Sequence, residues 1–561
     1  MDNSQQSIVI LVYSFFVMSL KNHIIRVFGF LNEGAEYAVL RNYEGLPDRN
    51  ESRDIDIIIT RRCFARIKPK LVEVLCQEGW RIVTYLNSDR LITFVCAKNV
   101  GHETEIVQWD FFVNTSVWGV ELMSAEEFVE HRVWNGVLWH VDVVGEFLDK
   151  YLYNRAVGAK YPAKYERIRT QIVEASHGTH GTHGNSSSSN LDILSPTDDT
   201  DLKDFSPSGF NDSLFLASLK KRSTDDTDFN AGEASASLTS SSSSLQGIMQ
   251  ASLPSTLAVF VSSVSSVGSV SKDKTSVSDK EISVRVSKKL EDVFGCGDLE
   301  VCDGLSGKRL LWRAVKWNVK RRPLGLIVGV WSFVWSFVRN YLCTNTGFAI
   351  GFTGPDGVGK TTVIEMLIER LGGVFRTAHS YMHFRPMLFG NLGEVAHSAG
   401  LKREVDRNYN DPHRGKKVGV VNSLVRLAYY SVDYIVGYWL KVKSQIRITR
   451  LVVFDRYYTD VICDSRRSRI FLNYKFLYWF GRVFVPQLDY NVLLTASVET
   501  ILVRKQELTR EGIERINEKI EYLAGKRGYV KFVNDGAPEE VVTEILEWVF
   551  EEQHQKNLRR L

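Results

Sequence analysis

The chain has 561 residues, 44% hydrophobic and 24% charged, which excludes a single ordinary core and supplies ample apolar material for two or three domains. Seventy basic against 66 acidic residues leave +4, a balance that argues neither for nor against a polyanion, and no nucleic-acid partner is expected. Cys63, Cys76, Cys96, Cys296, Cys302, Cys343 and Cys463 are scattered without metal-ligand spacing, so reduced thiols in the cytoplasm are the expectation. The first element is an apolar run, SIVILVYSFFVMSL (Ser7–Leu20). No basic segment precedes it, no small-residue cleavage site follows, and it is shorter than the roughly 20 residues of a membrane span. A buried helix continuing through KNHIIRVFGFLNE is expected; an uncleaved membrane contact is the alternative.

AEYAVLRNYEGLPDRNESRDIDIIIT (Ala35–Thr60) reads as a strand, a polar loop and a second strand opening with Asp54-x-Asp56. Residues two apart on a strand share a face, so both carboxylates aim at one divalent cation. Asp110, within the apolar strand EIVQWDFFV, is a third candidate, and three carboxylates on neighbouring strands make the oxygen-rich site that Mg²⁺ prefers. The alternative is strand-end aspartates paired with Arg53, Arg61 or Arg62. Residues 30–150 resemble nucleotidyltransferase-fold domains of the polymerase β type, which implies an α+β domain over 1–172. That family's Gly-Ser ahead of the paired aspartates is absent, and Leu40-Arg41-Asn42 stands near its place. Transferase activity and a binding-only role both stay open.

Residues 173–284 include HGTHGTHGNSSSSN, TSSSSSLQG and VSSVSSVGSVSKDK. So few large apolar residues cannot offset an ordering cost of about 1–2 kcal/mol per residue, and a disordered linker is expected. Residues 285–344 read as a helical, basic, tryptophan-bearing connector. Within it PLGLIVGVWSFVWSFV (Pro323–Val338) has no charge and lies between cations, which fits either a helix in a membrane interface or one packed on a neighbouring domain.

From 345 to 561 the order of elements is that of an α/β domain, a parallel sheet flanked by helices. NTGFAIGFTG (Asn345–Gly354) is a buried strand ending in a glycine turn, and Gly354, Gly359, Lys360 and Thr361 fit G-x-x-x-x-G-K-[ST] without mismatch. Glycines, Gly357 among them, let consecutive amides point at phosphate oxygens, and the helix starting near Lys360 adds the positive end of its dipole. Lys360 reaches the β/γ-phosphates and Thr361, followed by Thr362, offers a hydroxyl to Mg²⁺. TRLVVFDRYYTD (Thr449–Asp460) then sets Asp455 and Arg456 at the C-terminal end of a second strand, where open α/β sheets bind ligands. The carboxylate suits a magnesium shell or an acceptor, and the guanidinium suits a phosphate. After the strand YNVLLT comes a cationic stretch in which Arg504, Lys505 and Arg510 are candidates for a mobile lid. A last strand, YVKFVNDG, precedes a closing helix.

Together, GPDGVGKTT, DRYYTD, the basic lid and the terminal strand, loop and helix resemble the thymidylate kinase family of P-loop nucleoside monophosphate kinases. The resemblance implies ATP and Mg²⁺, with Asp356 touching the acceptor sugar, Asp455 and Arg456 meeting the acceptor and its phosphate, and Arg504 and Arg510 steadying the transferred group. It places adenine against Asn534–Ala537 and implies transfer of the ATP γ-phosphoryl to dTMP. Two departures mark the acceptor half. TDVICDSRRSR, with Asp464, Arg466, Arg467 and Arg469, replaces the thymine-framing continuation, and YMHFRPMLF, with Arg385 as an acceptor-phosphate candidate, replaces an Arg-Glu-Pro-Gly loop. An insertion at 392–417 adds cations. The leading expectation is a cytoplasmic nucleoside monophosphate kinase. The alternatives are a kinase acting on a phosphorylated sugar or nucleotide-sugar precursor in surface polysaccharide synthesis, and an ATP-binding scaffold held peripherally at a membrane through 323–338. The oligomeric state stays open, a homodimer included.

Overall fold

The computed structural model describes residues 19–50, 52–177, 278–340, 346–372, 374, 379–389, 419–505 and 508–561. The apolar run up to residue 18, the serine-rich residues 178–277, Cys343 and the 392–417 insertion lie outside them.

A helix over 19–32 buries Ile24, Val27, Phe28 and Leu31, the spacing of a single helix face. Nine strands follow: β1 (Tyr37–Val39), β2 (Asp54–Ile59), β3 (Arg81–Asn87), β4 (Leu91–Val100), β5 (Glu103–Phe112), β6 (Asn114–Val117), β7 (Val120–Ser124), β8 (Val133–Trp134) and β9 (Trp139–His140). Seven form one mixed sheet in the order β3-β4-β5-β2-β1-β9-β8, while β6 and β7 make a separate hairpin. The parallel pairing of β2 with β5 sets Asp56 opposite Asp110 and Asp54 opposite Gln108.

The segment read as a connector is built into this half. Helices Asp279–Phe294 and Gly307–Arg321 share a core with helix Val143–Val157, joining Val286, Leu290, Phe294, Leu310 and Ala314 to Phe147, Tyr151 and Leu152. Arg155 Nη2 fastens the turn between them by donating to the carbonyls of Cys302, Asp303 and Leu305 at 3.0, 2.8 and 2.8 Å. The expectation of seven reduced thiols is corrected here, since Cys296 and Cys302 form a disulfide. Gly295, left-handed at φ 61°, ends the helix at Phe294; between the two cysteines Asp298 caps the short helix Leu299–Asp303, whose turn brings Cys302 back to Cys296. Cys63, Cys76, Cys96 and Cys463 are free thiols.

The C-terminal half is an α/β unit around five parallel strands: β10 (Phe348–Thr353), β11 (Ser380–His383), β12 (Leu451–Asp455), β13 (Tyr490–Thr495) and β14 (Tyr529–Val533). Their order is β11-β12-β10-β13-β14. Every residue of β10, β12 and β13 is buried, as strands covered by helices on both faces require. The edge strand β11 comes from YMHFRPMLF, which the sequence presented only as a loop. The cationic stretch is two helices, Val498–Arg504 and Arg510–Ala524.

The two halves touch. Strand β3 has an irregularity between Ile82 and Thr84 that frees backbone groups from its ladder. The C-terminal helix Pro538–Leu558 satisfies them: Asn557 Nδ2 donates to the carbonyls of Ile82 and Val83 at 3.0 and 2.9 Å, and His554 Nδ1 accepts from the Ile82 amide at 3.2 Å. Val83, Val95 and Ala97 enter the C-terminal core, and Arg370 reaches across to Thr104 and Asn99 at 3.1 Å each.

Candidate functional site

The loop Gly354–Thr361 leaves the C-terminal end of β10, the middle strand, and runs into helix Lys360–Leu371. Two of its glycines are obligatory in this conformation. Gly357 and Gly359 both have φ near +90°, and a Cβ on Gly359 would lie 2.7 Å from Asn534 Nδ2. Thr361 and Thr362 are exposed on the first helical turn, whereas Lys360 is buried. Lys360 Nζ donates to the carbonyls of Gly354 and Pro355 at 3.0 and 2.8 Å. Burial drives its ammonium down to about 7, and the Arg456 charge adds to the fall against the opposing pull of Asp356, Asp460 and Asp455.

Strand β12 delivers the opposing wall. Phe352 of β10 is in register with Asp455, so the loop and the DR pair emerge side by side. Asp455 Oδ2 accepts from the Tyr381 hydroxyl at 2.9 Å and lies 3.3 Å from His383 Nδ1, while Oδ1 is buried with no hydrogen-bond partner. Burial pushes this carboxyl up, but the hydrogen bonds from His383 and Tyr381, with Arg456 and Lys360 nearby, outweigh it and hold it at about 2. Arg456 sits at φ 72°, and its backbone N–H donates a hydrogen bond to the Phe352 carbonyl at 2.9 Å. Its guanidinium joins Asp460 at 2.6 Å and also pairs with Asp356, whose other oxygen takes Arg467. Three cations and three carboxylates thus interleave at the mouth of the sheet, all within the C-terminal half.

The remaining candidates divide. Arg504 Nη1 donates to the Asn534 carbonyl at 2.8 Å and contacts that of Val358 at 3.5 Å, and Asn534 Nδ2 donates to Val358 at 2.7 Å. Arg504 therefore clamps the Gly354–Thr361 loop to the segment expected to border adenine. Arg510 instead pairs with Glu499 at 2.9 Å on the surface, where such a pair contributes little. Arg385 is buried against Asp433 at 3.1 Å and lies over the Tyr430 ring, so its charge is engaged by the fold. Asp464 caps the short helix Ser465–Ser468 through the amides of Arg466 and Arg467. Sequence reading missed Tyr381, His383 and Asp460. Asp460 had a weak signal, since it lies only four residues after Arg456, but the pairing is made by the turn at Arg456, φ 72°, ahead of the helix Tyr458–Cys463 that carries Asp460. Tyr381 and His383 had none, because only the pairing of β11 with β12 brings them to Asp455.

The N-terminal half holds a second cluster. Ligand atoms of Asp54, Asp56 and Asp110 all lie within 4.8 Å of one another. Asp110 accepts from Thr93 Oγ1 at 2.6 Å and from Gln108 Nε2 at 2.9 Å. Asp56 Oδ2 pairs with Arg41 at 2.7 Å, and Arg41 also reaches Asp149 at 3.2 Å, while Asp56 Oδ1 is buried with no hydrogen-bond partner. Burial raises Asp56 to about 6 despite Arg41, with Asp54 and Asp110 adding their repulsion. Arg41, from the stretch replacing the expected Gly-Ser, is thus the cluster's internal counter-charge, and Arg53, Arg61 and Arg62 are not Asp56's partner.

No family model matches this chain, and no curated protein matches it. Among solved structures it is similar to thymidylate kinase from Ehrlichia chaffeensis, at 14% identity and a TM-score of 0.26, over 36% of this chain and 98% of that one. Nothing about the site follows from a likeness this slight. The strand, glycine loop and helix, set in a parallel sheet, belong to an α/β fold.

Proposed function

We infer that the C-terminal half is an ATP- and Mg²⁺-dependent phosphotransferase that moves the γ-phosphoryl to a monophosphate-bearing acceptor, a nucleoside monophosphate such as dTMP in the first place. The observation that carries this reading is the emergence of the Gly354–Thr361 loop and the Asp455–Arg456 pair from adjacent parallel strands in register. Polyphosphate fits the loop, whose close approach to Leu494 and Asn534 leaves room only for backbone amides: a Cβ on Gly354 would lie 2.4 Å from the Leu494 carbonyl oxygen. The metal fits as well, because the unpartnered Oδ1 of Asp455 and the exposed Thr361 hydroxyl are hard oxygen donors. Bound there, Mg²⁺ supplies neutralisation of phosphate charge. Lys360 stabilises the charge that grows on the transferring group, and Arg456 with Arg467 orients the acceptor phosphate. An acceptor phosphate oxygen forms the new bond to the γ-phosphorus as the bond to the β–γ bridging oxygen breaks, and ADP leaves with that electron pair. Lys360→Ala in the full chain is expected to lower kcat by about a thousandfold, measured by coupled ADP release across nucleoside monophosphates and sugar phosphates. Unchanged turnover would sink the proposal; turnover confined to sugar phosphates would move the acceptor to that class.

A second reading concerns the N-terminal half. Its three convergent carboxylates, with Asp56 Oδ1 unpartnered, favour a divalent-cation site of the kind used in nucleotidyl transfer. Arg41 already neutralises part of that charge, so the reading is of a weak site.

A further inference from the structure

Helix Pro323–Val338 carries no charged residue, yet it lies on the outside of the molecule. Polar contacts fasten both ends to the N-terminal half. Arg322 pairs with Glu121 at 3.1 Å, and Asn340 Nδ2 donates to the Asn87 carbonyl at 3.2 Å, where Arg339 also donates. Midway, Gly329 meets Gly119 of the β6–β7 turn backbone to backbone, so that a Cβ on Gly329 would lie 2.3 Å from the Gly119 carbonyl oxygen. Gly329, Ser336 and Leu326 thus face the protein, and most of the other large side chains face away. Leu324, Ile327, Val328 and Trp331 keep 62–76% of their surface exposed, and Trp335 keeps 57%. Trp118, beside Gly119, and Trp312 on the preceding helix are exposed as well. A helix apolar on nearly every side is stable only under cover, and an apolar face of this extent marks an interaction surface.

The charge around the helix decides what covers it. Between Gly304 and Asn340 there are eight Lys and Arg residues and no Asp or Glu, in a chain that is otherwise near balance at 70 to 66. Helix Gly307–Arg321 buries Leu310, Ala314 and Asn318 on one stripe and carries six of those cations on the rest of its circumference. A second copy of this chain would bring the same excess of positive charge to the face. Tryptophans beside an apolar helix and a cationic border match the layered polarity of a bilayer surface that contains anionic lipid. We propose that the Leu324–Trp335 face, with Trp118 and Trp312 at its margin, beds into the interfacial layer of an anionic bilayer. At 1.5 Å per residue the helix is about 24 Å long, short of the roughly 30 Å hydrocarbon core, so it lies along the surface and does not cross it. Among the described residues, no helix is long and apolar enough to cross a membrane.

The test uses the full chain and vesicles of phosphatidylcholine with about 30% phosphatidylserine, with pure phosphatidylcholine vesicles alongside. Co-sedimentation is expected with the anionic vesicles, weakened in about 0.5 M salt. Trp331→Ala/Trp335→Ala and, separately, Lys320→Glu/Arg321→Glu should each lower the partition coefficient about tenfold or more, with far-ultraviolet circular dichroism unchanged because the substituted side chains are at the surface. Failure of the unsubstituted chain to sediment overturns the proposal, and so does equal sedimentation of both variants. Sedimentation equilibrium without lipid supplies the last arm. A dimer that Trp331→Ala/Trp335→Ala dissociates would assign the face to a second copy and overturn the lipid assignment.

Discussion

Replacing Arg456 by methionine removes the hub of the candidate active site while keeping most of its volume. Its side chain is 4% exposed, and it bridges Asp356 to Asp460, whose own side chain is 1% exposed. Asp460 Oδ2 has no hydrogen-bond partner even with Arg456 in place, and burial already raises this carboxyl. Arg456→Met therefore leaves a buried carboxylate without its counter-charge, a loss of about 3–5 kcal/mol. Asp460→Asn in the same chain removes that charge, and the double variant should recover about half the loss. The pH dependence has a definite sign. In Arg456→Met the folded-state pKa of Asp460 rises further above its unfolded value, so the folded state holds the extra proton. Stability is then fullest below the unfolded carboxyl range and is lost as pH rises through the folded value. Because the halves pack on each other, whole-chain melting is a poor ruler. Hydrogen exchange at the Leu451–Asp455 amides reads the local opening free energy directly. A change below about 0.5 kcal/mol in Arg456→Met, or strictly additive losses in the double variant, would refute the view of Arg456 as a buried electrostatic hub.

Three further outcomes follow from the same geometry. Gly359→Ala forces a Cβ into a backbone at φ 90° and against Asn534, so calorimetry should show MgATP binding weakened by about 1–3 kcal/mol, and undiminished binding would contradict the loop's assigned role. His23, stacked on Trp80 at 4.2 Å and accepting from Trp109 Nε1 at 3.3 Å, is lowered to about 3, by burial first and then by Arg26 and Lys98. Its folded state refuses a proton that the unfolded state accepts, so stability falls as pH drops from about 6.5 toward 3; exchange at core amides of the helix over 19–32 should weaken by about 2 kcal/mol between pH 6.5 and 5, and His23→Gln should flatten that slope. At the N-terminal cluster, Asp56→Asn should reduce Mn²⁺ affinity about tenfold or more in a thermal-shift titration, and equal midpoints with and without the substitution would leave Asp54, Asp56 and Asp110 as a structural network only.

How far the sequence alone carried can be seen residue by residue. The strand, glycine loop and helix around Lys360, the strand ending in Asp455 and the strand Tyr490–Thr495 were legible because each is a local pattern: a continuous apolar run, a glycine turn, a helical period. The Asp54-x-Asp56 pair was legible for the same reason, since alternation along a strand sets which side chains share a face. Partners were not legible, because they come from chain segments far apart in sequence. Arg385 looked free for a phosphate until Asp433, on a helix 48 residues on, closed over it. Tyr381 and His383 gained meaning only when β11 paired with β12, whereas Cys296 and Cys302, six residues apart, meet through the local turn of the short helix Leu299–Asp303. Segment 285–344 read as a connector, and packing made its first helices part of the N-terminal core. The docking of helix Pro538–Leu558 on the irregular strand β3 likewise rests on three hydrogen bonds spanning more than 470 residues. Periodicity and turn chemistry thus fixed which elements form, since those forces act between near neighbours. Long-range packing decided which charges meet, because neutralising a buried charge depends on what the whole fold places beside it.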